Sequence, residues 1–182
     1  MGVHWKLKIL LAGLHCGLLA LLLVLTPGSS GFAAEETRDD TMTTEYGFTD
    51  FDTLQPPDSS NNWLVAPANF GPARPNETAP VFDVAAERLA RAWIRVVEEQ
   101  PRTKVVGVSE DGLQIEAEQR SAVFGFTDRI SVRVVALDPD HSTVIAYSRS
   151  LVGYWDFGVN RGRLQDWLSI LPATLSAEGK VP

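Results

Sequence analysis

The chain has 182 residues and a formal net charge of -7, with 45% apolar residues, three histidines and one cysteine, a length suited to one domain with a sizeable core plus appendages. The charge is uneven: residues 1–34 carry +2, residues 35–60 carry -7 from eight acids against Arg38, and residues 61–182 carry only -2. That distribution lacks the basic stripe needed to hold a phosphate backbone, so nucleic acid is not an expected partner.

The chain opens as an export signal or N-terminal membrane anchor over residues 1–34. A basic start, MGVHWKLK, precedes an apolar run from Ile9 to Leu25, and small residues at Gly31 and Ala33 fit a cleavage site. The seventeen-residue run is also at the lower limit for spanning a bilayer, so cleaved signal and retained anchor both stay open. Either places the domain outside the cytoplasm, with Lys6 and Lys8 on the inner side. The lone cysteine, Cys16, lies in this leader, which leaves the remainder without disulfides, thiol nucleophiles or thiolate metal ligands.

Residues 35–60 are acidic, rich in Thr and Pro, and lack a sustained apolar period, which predicts a mostly disordered tether. Tyr46, Phe48 and Phe51 are candidates for docking within it. Residues 61–80 carry four prolines and predict an extended arm with Trp63 and Leu64 as anchors. A helix is predicted over Asp83–Glu99, with Asp83 as N-cap and an apolar face of Ala86, Leu89, Trp93, Val96 and Val97. Four strands follow over 103–109, 113–123, 126–137 and 142–152, and Asp111-Gly112 marks the first hairpin turn. Leu113, Ile115 and Ala117 alternate with Gln114, Glu116 and Glu118, and Ile130, Val132 and Val134 share one face. A second helix is predicted over Phe157–Leu171, ending before Pro172, with Gly162 permitting close approach to the sheet. The expectation for residues 81–172 is an α+β domain: a four-stranded antiparallel meander with two helices packed on one face, in the order α-β-β-β-β-α. Residues 173–182 are left as a tail.

Tracing strand directions brings Arg102, Arg120, Asp128, Arg149, Asp156, Asn160 and Arg161 to one edge of the sheet. Two segments there echo each other, RSAVFGFTD from Arg120 and RSLVGYWD from Arg149, which suggests similar exits from the sheet and pairing among Arg120, Asp128, Arg149 and Asp156. Asn160 falls on the apolar face of the second helix and needs partners, since an unpaired buried amide costs about 1–3 kcal/mol. Three readings stay open: capping and pairing that fix the helix to the sheet, an anion held at the helix start by Arg149 and Arg161, and carboxylate catalysis by Asp128 and Asp156. His4 and His15 belong to the leader and His141 lies at the other end of the sheet. A Ser-His-Asp relay, a His-ligated metal and a glycine-rich phosphate loop therefore lack their residues, and no cofactor is expected.

The segments PRTKVVGVSED, RSAVFGFTDRISVRVV and YSRSLVGYWDFGVNRGRL together resemble the family known as domain of unknown function 1499. The positions that carry the likeness include Arg120, Ser121, Phe126, Asp128, Ser148, Arg149, Ser150, Gly153, Asp156, Asn160, Arg161 and Arg163, and the likeness runs over about residues 47–171. Trp63 departs from the pattern, because many members carry a cysteine after the preceding Asn. The resemblance implies one domain, often exported or membrane-linked in bacteria, and supplies no activity.

The leading expectation is an exported envelope protein, periplasmic or anchored facing the periplasm. It would act as a non-catalytic binding module for an envelope protein or for an acidic amphiphile met by Arg120, Arg149 and Arg161. The rivals are a hydrolase or isomerase using Asp128 and Asp156, and a membrane-tethered scaffold.

Overall fold

A computed structural model of the chain describes residues 47–178; the leader and residues 35–46 of the acidic stretch lie outside the described residues. Its elements in chain order are β1 (Asn62–Ala66), β2 (Glu77–Thr78), β3 (Val81–Phe82), α1 (Ala86–Glu98), β4 (Thr103–Val108), β5 (Gln114–Arg120), β6 (Thr127–Ala136), β7 (Ser142–Ser150) and α2 (Val159–Glu178). The class is α+β, and β4 to β7 form the antiparallel meander.

The sheet is larger than the predicted four strands. It has seven, ordered β2-β1-β7-β6-β5-β4, with β3 also paired to β7. The extra strands come from the arm. β1 runs antiparallel to β7 with Leu64 opposite Tyr147, and β2 lies parallel to β1. The expected extended arm pairs through WLV, which is free of proline, and docking it removes an unpaired edge from β7.

Both helices cover one face. Leu89, Trp93, Val96 and Val97 of α1 and Leu164, Trp167 and Leu171 of α2 meet Ile115, Ile130, Val132 and Val144 of the sheet. Trp93 and Trp167 touch edge to face, with ring centroids 6.3 Å apart. Burial of each such large side chain contributes about 1.5–3 kcal/mol.

Both helix ends differ from expectation. Asp83 does not cap α1. The N-cap residue is Ala85 and makes no side-chain cap bond, because β3 holds the chain extended through Phe82 and Ser142 Oγ donates to the Val84 carbonyl at 2.7 Å. Helix α2 runs through Pro172 to Glu178. Proline removes one ladder donor, yet Leu175 beyond it is buried and its carbonyl accepts from Arg88 at 2.8 Å. Tertiary contact thus continues a helix that local preference would stop. Gly162 is not a close-approach glycine, since a Cβ built there meets nothing within 4 Å.

The other face is covered by the segment from Gly47 to about Ser60. Phe51 is fully buried against Leu64, Ile145 and Tyr147, with the Arg133 guanidinium 5.3 Å from its ring centroid. Next to it Glu116, only 1% exposed, accepts from the Thr49 N–H at 2.8 Å, from Arg129 Nε at 3.0 Å and from Ser131 Oγ. One buried carboxylate therefore joins β5 and β6 to the covering segment.

Candidate functional site: a sealed polar cluster beneath an apolar cleft

Helix α2 begins with a stripe of three polar residues, Asp156, Asn160 and Arg163, whose spacing of four and three puts them on one side of a helix start. Asp156 accepts the backbone N–H groups of Gly158 and Asn160, each at 2.9 Å, and so satisfies donors that a helix start leaves open. Asn160 is fully buried and fully partnered. Its amide nitrogen donates to the Asn61 carbonyl (2.9 Å), Ser150 Oγ (3.1 Å) and Asp156 (2.7 Å), and its oxygen accepts from Ser148 Oγ and Arg163 Nη1, both at 2.6 Å. Arg163 also donates to Gln119 Oε1 at 2.6 Å and to Ser148 Oγ at 2.7 Å, and it forms a buried ion pair with Asp128. This network ties Asn61, just before β1, to β5, β6, β7 and α2.

The sequence-derived site residues therefore divide. Asp128, Asp156 and Asn160 come together in the sealed cluster, whereas the expected pairing among Arg120, Asp128, Arg149 and Asp156 does not form. The partner of Asp128 is Arg163, a residue the candidate set omitted although it stands one helical step after Asn160. The other cations stand apart from the cluster. Arg149 sits half-buried on the opposite face, in register with Arg129 and beside Tyr147. Arg161 is exposed and stacks on Trp63, 5.2 Å from the ring centroid. Arg120 is exposed at the rim of a cleft, next to Arg102.

That cleft, about 440 Å³, opens directly over the cluster. Asp128, Asp156, Arg163 and Ser150 form its floor, and Val123, Phe124, Phe126, Val152, Trp155 and Phe157 form its walls. The walls belong to two loops, 121–126 and 151–158, the two segments that echo each other in sequence. Both loops are tied down. The first is closed by Ser121 N–H to Phe126 O (2.8 Å) and Phe126 N–H to Ser121 Oγ (3.0 Å). The second is held from behind by Asn61 Nδ2 donating to the Gly153 carbonyl and Tyr154 OH donating to the Asp58 carbonyl at 3.1 Å. Their apolar side chains nonetheless point outward: Val123 is 81% exposed, Phe124 75%, Trp155 70% and Phe157 97%.

The two floor carboxylates have structural employment. Asp156 spends both oxygens on the helix start and on Asn160, and Asp128 faces the Arg163 guanidinium. Among the described residues no group of three or more His, Cys, Asp or Glu side chains gathers at metal-binding distance.

The fold and this site define a small α+β domain with a sealed polar cluster under an open apolar cleft. The chain belongs to the family described as Protein of unknown function (DUF1499), whose sequence model matches residues 50–171. That span begins in the segment covering the second face and ends within α2, so it contains every residue of the cluster and the cleft. No curated protein matches the chain.

Proposed function

We propose that this protein is an exported, non-catalytic binding module whose cleft receives the apolar chain of an anionic amphiphile. The supporting observation is the division of labour around the cleft: apolar walls from two tethered loops, a polar floor whose groups bond one another, and Arg102 and Arg120 at the rim. Neither rim arginine has an ion pair among the described residues, so an acidic head group has two cations to meet there. Each methylene buried along the walls contributes about 0.8 kcal/mol. The cleft volume of 440 Å³ falls within the ordinary range for ligand pockets. The head group is assigned to Arg102 and Arg120 in place of Arg149 and Arg161, which lie outside this cleft. The basic-then-apolar leader supports export, with the domain facing the periplasm either free or anchored.

Titration of the full-length chain with lauric acid, followed by native mass spectrometry, tests the proposal. The expected result is a one-to-one complex that Phe126→Glu weakens by about tenfold or more, because a carboxylate then lines the wall. Arg149→Ala, on the opposite face, leaves binding unchanged. Equal binding by the parent chain and Phe126→Glu would overturn the cleft assignment.

A further inference from the structure

We infer that loops 121–126 and 151–158 dock on an anionic lipid bilayer, so that the cleft opens onto the membrane that supplies its ligand. This rests on the amphiphile reading for the ligand and goes beyond it in naming the surface the domain sits on.

The first observation is the shape of the exposed apolar surface. Its side chains are separate protruding tips on two ordered loops. Phe157 and Val123 are almost wholly exposed, and Phe124 stacks on Phe126 with centroids 5.6 Å apart. A folded protein partner needs a surface shaped to each tip, whereas lipid accepts tips of any shape. Trp155 and Tyr154, in contact at 6.1 Å, are the residue types that settle at a membrane interface.

The second observation is backbone strain at the most exposed tip. Phe157 has φ 54, a left-handed conformation unfavourable for a bulky side chain, while Gly153 and Gly158 in the same loop take φ 91 and 81 without penalty. The fold holds an aromatic ring in solvent through a strained backbone, which is the pattern expected where a side chain is used for contact.

The third observation is charge polarity along the strands. At the cleft end Asp128 and Asp156 are bonded internally, and exposed Arg102, Arg120 and Arg161 stand beside the aromatic ridge, with exposed Glu98 and Glu99 at the end of α1 and Asp58 behind Tyr154; Trp155 and Phe157 border both the cleft and the Trp63–Arg161 surface. The opposite end carries Asp83, Glu110, Asp111, Asp138 and Asp140 in its turns. The loop end is thus near charge balance with three arginines beside the apolar tips, whereas the far end is acidic, so an anionic membrane favours the loop end. A bilayer matches both the apolar tips and the neighbouring cations.

The test uses the full-length chain with Cys16→Ser, carrying an environment-sensitive fluorophore at Ala122→Cys in the first loop or at Asp140→Cys at the far end. Each is mixed with phosphatidylcholine vesicles with or without phosphatidylglycerol. The expected result is a blue shift at position 122 only, stronger with phosphatidylglycerol and reduced by salt. Arg102→Gln with Arg120→Gln weakens docking by about fivefold per arginine, and Phe124→Ser with Phe157→Ser weakens it by about a hundredfold. No shift at 122, or equal shifts at 122 and 140, overturns the inference even if the leader holds the chain on the vesicle. Lauric acid without vesicles separates the two readings. A lauric acid complex together with no vesicle-induced shift at 122 removes the docking surface and leaves the cleft, while a vesicle-induced shift at 122 without a lauric acid complex removes the cleft ligand and leaves the docking surface.

Discussion

At the end of the sheet built by turns 109–112 and 137–141, side chains close the backbone on itself. Asp111 accepts from Ser109 Oγ and the Leu113 N–H, and Asp138 accepts from the Asp140 and His141 N–H groups and from the His141 ring. At the other end, loops 121–126 and 151–158 are also tied, yet they turn their largest side chains outward. One end is finished mainly with polar residues that suit the turns, Leu137 apart, and the other carries a denser apolar exposure and a strained Phe157. The contrast separates residues that make the fold from residues the fold presents.

The largest effect belongs beneath the cleft. Arg163→Met leaves Asp128 buried without its cation, and a loss of about 3–5 kcal/mol is expected by chemical denaturation. Adding Asp128→Asn recovers a substantial part of it, because the uncompensated charge is gone. Equal losses in the single and double variants would show that packing, not charge, governs the cluster. On the opposite face Glu116→Gln weakens the bonds to Arg129 and Thr49, with an expected loss of about 2 kcal/mol and faster proteolysis between Gly47 and Ser60.

Smaller effects sharpen the comparison between the two ends. Gly112→Ala, at φ 74 in the closed turn, is expected to cost about 1 kcal/mol. Phe157→Gly is expected to do the reverse and raise stability by up to about 1 kcal/mol while reducing vesicle docking. If it destabilises the domain, the exposed ring is structural and the contrast fails. The smallest effect is pH dependence at the 137–141 turn. The hydrogen bond to Asp138 raises the His141 pKa, so its contribution is fully present below the ordinary value of 6.5 and fades as pH rises through the raised folded-state value. Bonds from the Asp140 backbone and the His141 side chain lower the Asp138 pKa, so its contribution is present above 3.8 and fades as pH falls through the lowered value. The turn is therefore tightest between these limits. Stability profiles of the parent and His141→Gln should converge at alkaline pH and separate below neutrality.

Much of the fold is legible in periodicity. The α1 stripe, the alternation in β5 and β6 and the Asp111-Gly112 turn each report a local repeat that survives folding. The inward position of Asn160 follows from the same helical spacing, and one further step along it leads to Arg163. Alternation also sets Gln114, Glu116 and Glu118 on one face without saying what covers them. A segment with no period of its own, residues 47–60, buries Glu116 to 1% exposure. Topology brings Asp128 and Arg149 to the same end of the sheet, but the register places Arg149 opposite Arg129, one residue on from Asp128, and alternation sends the two to different faces.

By itself the sequence determined the amphipathic elements, their antiparallel succession and the gathering of polar residues at one end, because each depends on spacing along the chain and on strand direction. Tertiary structure alone decided that WLV becomes β1, that α2 continues past Pro172, and that Asp128 pairs with Arg163. It also decided that two similar loops share one apolar cleft. Those outcomes depend on which distant surface is available to satisfy an edge, a carbonyl or a charge, and neighbours in sequence do not carry that information.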